Sequence, residues 1–201
     1  SSVTGIRLLQ FSKRKSMHIE YEATFTNMNK DEVRERFRQA GAALIRPEYL
    51  QKRIPFYLPK EKRSKDSWLR VRDEGDKITL SLKMIDGDKI EDQKEICLTI
   101  NNFDDAVELL RAIGCEPKSY QETKRELWRL DGVDITIDEW PFLEPFVEIE
   151  GDSEQAVNEV SEKLGFNYTN ALFCAVGKLY QMKYGISLDG INGFEKLVFE
   201  M

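Results

Sequence analysis

The sequence predicts an α+β fold in which about eight antiparallel strands curl into a barrel with helices packed outside. Three observations carry this reading. Segments alternate strictly, as in Lys77, Thr79, Ser81 and Lys83 against Ile78, Leu80, Leu82 and Met84, the period of a strand with one polar and one apolar face. Short turns such as Asp73-Glu-Gly75-Asp76 and Asp86-Gly87-Asp88 join successive segments, which makes neighbours antiparallel. A sheet of that many strands tends to curl or close.

In chain order, His18 to Thr26 is the first strand. It sets Glu20, Glu22 and Thr24 on one face and Ile19, Tyr21, Ala23 and Phe25 on the other. Two carboxylates about 7 Å apart along a strand repel unless water, a cation or basic side chains answer them. Asn29, with Glu32 three residues on, caps a helix whose apolar stripe is Val33, Phe37 and Ala40 and which stops at Gly41. Residues 42–58 read as extended, with Pro47 and Pro55 confining them to short or edge pieces. Beyond the charged loop that follows, Trp68-Leu-Arg70-Val-Arg72 places both arginines on one face. Gln93, Glu95, Cys97 and Thr99 alternate with Lys94, Ile96, Leu98 and Ile100.

A helix from about 103 to 113 shows Ala106, Leu109, Leu110 and Ile113 as its apolar side. A long strand over 118–130 turns at Gly132 into Asp134-Ile-Thr-Ile-Asp138, and a Pro-rich loop leads to Phe146-Val-Glu148-Ile-Glu150. Ser153–Leu164 and about 170–184 are read as helices ended by Gly165 and Gly185, and the tail as loop and short strand.

At 201 residues and 41% hydrophobic, the chain supports one domain, taken as 17–201. Residues 1–16 carry Arg7, Lys13, Arg14 and Lys15 and no acid, and Met17 stands just before the first strand. They are read as an N-terminal extension, in preference to an organelle transit peptide. The remainder holds 26 bases against 36 acids, which argues against a nucleic-acid surface. Cys97, Cys115 and Cys174 are scattered, which fits free thiols and a cytoplasmic location. No apolar run reaches the roughly 20 residues of a membrane helix, so no membrane partner is expected.

Sorted by polar face, the strands give Glu20, Glu22, Glu148 and Glu150, with Asp138 nearby, and opposing them Arg70, Arg72, Lys83 and Arg125. If these faces meet inside a closed sheet, the acidic wall suits a hard cation such as Mg²⁺ or Mn²⁺. The basic wall suits an anion held by charge-assisted bonds. A polyphosphate bridged by a divalent metal needs both halves. The competing reading turns each polar face to bulk water.

Taken in order, Glu20-x-Glu22, Leu69-Arg70-Val-Arg72, the strand bearing Lys83, Lys124-Arg125 and Phe146-Val-Glu148-Ile-Glu150 resemble the CYTH proteins. These triphosphate tunnel metalloenzymes include class IV adenylyl cyclases, thiamine triphosphatases and inorganic triphosphatases. The resemblance spans roughly residues 17–184 and implies an eight-stranded antiparallel tunnel. It implies metal binding by Glu20, Glu22, Glu148 and Glu150, and triphosphate binding by Arg70, Arg72, Lys83 and Arg125. Arg125 and Asp138 take the catalytic roles, and Glu95 and Thr24 line the tunnel. Lys124 and Arg125 alternate faces, and Arg125 is taken as the inward one.

One departure stands out. The family's first motif is Glu-x-Glu-x-Lys, and Thr24 occupies the lysine position; a hydroxyl cannot supply an ammonium's charge. Lys52 and Arg53 are the replacements considered.

The implied function is a metal-dependent enzyme acting on a nucleoside triphosphate or an inorganic or organic triphosphate. It is either a cyclase making cyclic AMP and pyrophosphate from ATP, which the compact length favours, or a triphosphate hydrolase. The alternative, motivated by Thr24, is a tunnel that binds a nucleotide or polyphosphate without turning it over. A homodimer is one option for assembly. His18 reads as a surface residue, and Trp140, Phe142 and Phe146 as a plug at the end of a core, in preference to a cover over an adenine at the tunnel mouth.

Overall fold

The computed structural model describes residues 17–64 and 67–199; the leading segment 1–16 lies outside them. Its strands are β1 (His18–Ile19), β2 (Tyr21–Phe25), β3 (Ala43–Tyr57), β4 (Ser67–Asp73), β5 (Ile78–Ile85), β6 (Gln93–Ile100), β7 (Glu116–Pro117), β8 (Tyr120–Leu130), β9 (Val133–Glu139), β10 (Phe146–Gly151) and β11 (Lys196–Leu197). Helices are α1 (Lys30–Gln39), α2 (Phe103–Ala112), α3 (Glu154–Lys163), α4 (Gly177–Tyr184) and α5 (Leu188–Asn192).

The sheet runs in the order β1-β6-β5-β4-β3-β8-β9-β10-β2, antiparallel at every step. Its two ends are the same stretch of chain. His18 and Ile19 pair with Glu95 and Lys94; past Glu20 the strand changes partner, and Tyr21 to Phe25 pair with Gly151 to Val147. The sheet thus nearly closes into a barrel. Among the described residues it has eleven strands and not eight: the first is split at Glu20, and the two-residue β7 and β11 flank β3 and β8.

Alternation then sorts the side chains. Outward, Ala23, Phe25, Ile135, Ile137, Val147 and Ile149 pack with Val33 and Phe37 of α1 and Val157 and Val160 of α3. Phe37 is fully buried and meets Trp128 edge-on at 5.6 Å between ring centres; truncating such a ring costs about 3–5 kcal/mol. Phe56, Val71 and their neighbours pack with Ala106, Val107 and Leu110 of α2. With the apolar rows spent on the helices, the polar rows are left to line the interior.

α1 begins as its cap requires, with the Asn29 side chain accepting from the backbone N–H of Asp31 and Glu32. Gly41, just past its end, has φ +82°, which favours glycine.

Several expectations are corrected. Residues 43–57 form one long central strand between β4 and β8, not edge pieces. It tolerates Pro47 because the register slips between Arg46 and Tyr49, where no ladder bond is needed from a proline nitrogen. On α2 the buried row is Ala106, Val107 and Leu110, while Leu109 and Ile113 are 56% and 58% exposed; the stripe set by Phe103 runs one position round from the expected one. α4 begins at Gly177 and not near Asn170, because Leu172 exchanges backbone hydrogen bonds with Thr24, 2.9 Å each way, and holds that segment extended. α5 forms where the sequence predicts loop. Phe142 is 58% exposed, whereas Trp140 and Phe146 pack with Leu179, Tyr180, Ile191 and Leu197. This cluster packs beside the interior, which Trp140 lines.

Candidate active site

Inward-facing side chains from most of the sheet contribute to one cavity of about 170 Å³, room for a chain of roughly ten water-sized groups. Glu20 and Glu22 come from the first strand, Glu148 and Glu150 from β10, Arg70 and Arg72 from β4, Lys83 from β5, Glu95 from β6 and Arg125 from β8. The charged faces thus converge on a shared interior and do not look outward. Glu22 and Glu150 are cross-strand neighbours, so two carboxylates stand side by side.

The opposite charges interlock. Arg125 donates from Nε and Nη2 to the two Asp138 oxygens at 2.7 and 2.9 Å, and from Nη2 to Glu148 at 2.7 Å. Lys83 Nζ meets Glu20 at 2.9 Å, Arg70 meets Glu95 at 3.2 Å and Arg72 meets Glu74 at 2.6 Å. Glu74 was not anticipated; its place in the Asp73–Asp76 turn, two residues from Arg72, was the available signal.

Crowding shifts the titrations. Burial pushes Glu20 from an ordinary 4.5 to about 8, with Lys83 offsetting part of this and Glu95 and Glu22 adding to it. Burial would raise Glu95 as well, but Lys83, a hydrogen bond from Glu20 and Arg70 hold it down at about 2. Glu148 is raised well above the carboxylate range by burial, Glu22 and Asp138, more than its bond to Arg125 offsets. Burial and Glu22 raise Glu150. Arg72 falls to about 10 through burial and the charges of Arg70 and Arg125. The cavity therefore stores unbalanced charge of both signs, which a ligand bearing both would relieve.

Two expected tunnel residues are placed differently. Thr24 is buried off the cavity wall, because Leu172 pairs with its backbone. Asp138 is fully buried behind Arg125 and also accepts from Thr136 Oγ1 at 2.5 Å; it reaches the cavity only through that guanidinium. Of the two bases considered in place of the absent lysine, Lys52 is exposed outside and Arg53 lines the interior. Trp68, Gln93, Cys174 and Gly177 also line it, and no charge pattern marked them. His18 is exposed.

For a metal, the donor chemistry of Glu20, Glu22, Glu148 and Glu150 fits a hard cation. Among the described residues, however, no three Asp, Glu, His or Cys side chains are assembled as a ready ligand set. Glu20 and Glu148 are instead tied to Lys83 and Arg125. None of the described helices is long and apolar enough to cross a membrane.

Among solved structures, the fold is similar to a candidate adenylate cyclase of Vibrio parahaemolyticus, with a TM-score of 0.69, 13% identity and coverage of 83% of this chain and 99% of that one. It is also similar to a Pyrococcus horikoshii protein with no activity in its description, with a TM-score of 0.64, 24% identity and coverage of 82% and 99%. A third is a Hippeastrum protein, a candidate adenylyl cyclase with a dominant triphosphatase activity, with a TM-score of 0.54, 14% identity and coverage of 82% and 95%. No curated protein matches the sequence. At these identities the structural likenesses speak for the fold alone, but the sequence itself matches the CYTH domain over residues 19–177. With that match spanning most of its length, the chain belongs to the CYTH domain family.

Proposed function

We propose that this chain is an enzyme that binds the triphosphate of its substrate inside the barrel and cleaves a phosphoanhydride bond there, with Mg²⁺ or Mn²⁺ as cofactor. One observation carries the reading: Arg70, Arg72, Lys83 and Arg125 share a narrow cavity with Glu20, Glu22, Glu148 and Glu150. Arg70, Arg72 and Arg125 offer forked donors to phosphoryl oxygens and Lys83 a point charge. Asp138 fixes the Arg125 fork, so that its donors are aimed before substrate arrives. Glu20, Glu22, Glu148 and Glu150 would hold the metal, which when bound neutralises phosphate charge.

In a hydrolase, water attacks the terminal phosphorus, the bond to the bridging oxygen breaks, pyrophosphate leaves from tripolyphosphate or ADP from ATP, and the water's proton passes to solvent. In a cyclase, the ribose 3′-oxygen attacks the α-phosphorus of ATP instead, the bond to the α–β bridging oxygen breaks, pyrophosphate leaves and the hydroxyl proton passes to solvent. Both use the same grip and differ in which phosphorus meets the nucleophile. Purified protein given ATP and, separately, tripolyphosphate with Mg²⁺ or Mn²⁺ separates them. Cyclic AMP with pyrophosphate identifies the cyclase, and orthophosphate the hydrolase. No product under either metal refutes both.

A second reading, a tunnel that binds a triphosphate without turnover, draws on two observations. Thr24 stands in the motif's lysine position, off the cavity, and the acids lack a preassembled ligand set. It predicts thermal stabilisation by tripolyphosphate with no product. Turnover on the order of 1 per second eliminates it.

A further inference from the structure

The cavity's cations are not equivalent. Arg70, Arg72, Lys83 and Arg125 each face a carboxylate at 2.6 to 3.2 Å. Arg53 has no carboxylate at salt-bridge distance among the described residues. It is only 6% exposed, and its Nη2 spends its bonds on two neutral acceptors, Gln51 Oε1 at 2.7 Å and Thr123 Oγ1 at 2.6 Å. Its Nε is buried with no partner. Burial and the like charges of Arg70, Arg72 and Arg125 depress its pKa well below the usual guanidinium range. A buried cation without a counter-ion is costly, and here the missing counter-ion marks where an anion belongs.

The guanidinium lies over the Trp140 ring, 4.7 Å from the ring centre, and Trp140 packs edge-on against Tyr180, one turn into α4. The stretch from Cys174 to Gly177, which opens α4, lines the same cavity. The start of a helix carries its positive end; in α4 the N–H groups of Lys178 and Leu179 are taken by the carbonyls of Ala175 and Val176, 2.9 Å each, and Val176 at the cap offers no side-chain acceptor to that of Gly177. Asn192, also on the wall, has a buried Nδ2 with no partner. Donors from three separate parts of the chain therefore line the same cavity as Arg70, Arg72, Lys83 and Arg125, with Arg53 the cross-strand neighbour of Arg72.

We propose that Arg53, the Gly177 N–H at the start of α4 and Asn192 form a subsite for a phosphoryl dianion within this cavity. The occupant is either the leading phosphoryl group of a triphosphate or free orthophosphate, which share this chemistry. The subsite rests on the triphosphate reading above and extends it, since it adds a cation without a counter-ion to the four already assigned to the phosphate chain.

The test is calorimetric titration of the full chain and its R53Q and R53K variants with tripolyphosphate and, separately, with orthophosphate. Ligand-free and ligand-bound melting temperatures are measured alongside. R53Q is expected to weaken tripolyphosphate binding about tenfold to a hundredfold, the scale of a lost charge-assisted bond. R53K, which keeps the charge and loses the fork, should fall between. A purely structural arginine behaves in the reverse way: R53Q lowers the ligand-free melting temperature and leaves the ligand-induced rise intact. Tight tripolyphosphate binding that ignores Arg53 overturns the subsite and leaves the triphosphate reading standing. Orthophosphate binding that depends on Arg53, without tripolyphosphate binding, does the opposite. If the wild type binds neither anion, both fall. If R53Q does not fold, R53K decides: unchanged binding of both anions overturns the subsite, and weakened binding supports it.

Discussion

Replacing Arg125 by Met tests the interlocked charges directly. Arg125 is the sole ion-pair partner of Asp138 among the described residues, and Asp138 is fully buried. The variant removes both guanidinium bonds to Asp138 and the one to Glu148. Thr136 remains as the carboxylate's hydroxyl donor. Breaking one side of a buried pair costs about 3–5 kcal/mol, because the surviving charge is stranded. For a chain of 150–250 residues each kcal/mol moves the melting temperature by about 2–4 °C, so the expected fall is about 6 to 20 °C. Asp138→Asn in the same background removes the stranded charge and should recover at least half the loss. Calorimetric melting of wild type, both single variants and the double variant closes the cycle. A loss under about 1 kcal/mol in R125M, or no recovery on adding D138N, refutes the claim that this bond holds the basic wall in place.

Stability should also depend on pH in a set direction. Glu20 binds its proton more tightly folded, near 8, than at its ordinary 4.5; its contribution is complete below 4.5 and is lost as pH rises through 8. Glu148 and Glu150 act in the same sense, while Glu95, held at about 2, withdraws stability as pH falls from 4.5 toward 2. Melting temperatures in EDTA should therefore decline between pH 5 and 8, and E20Q should flatten the decline; a rise in that window contradicts the crowded acidic wall. Mg²⁺ or Mn²⁺ binding at pH 7 should release protons from the raised carboxyls, seen as a heat that varies with buffer ionisation enthalpy, and an identical heat in every buffer counts against those ligands. Asn29→Ala should cost about 1 kcal/mol, or about 2–4 °C in melting, since it removes the acceptor for two N–H groups of α1; no change would show that the cap is dispensable.

Much of this was legible in the chain because a strand's period is two. Once Val147 and Ile149 are assigned to an apolar face, Glu148 and Glu150 must share the other, and the same rule brought Arg70 with Arg72. What alternation could not convey was depth and cover. Thr24 falls in the same row as Glu22, yet a segment nearly 150 positions later lies across it, and no local pattern announces that contact. Asp138 likewise shares the inward row but sits beneath the side chain it orients. Pro47 misled for the converse reason: its constraint is local, and a bulge absorbs it without ending the strand. Arg53 was visible only as one of two adjacent bases until the register of β3 with β8 put it inside.

The handover at Glu20 has a mechanical consequence. On one flank five residue pairs join the first strand to β10, and on the other only two join it to β6. The cylinder is therefore sewn unevenly, and its thinnest seam runs beside Glu20 and Glu95, which face each other across it as a carboxyl hydrogen-bonded to a carboxylate. Amide exchange should begin there before it reaches the β3–β8 ladder.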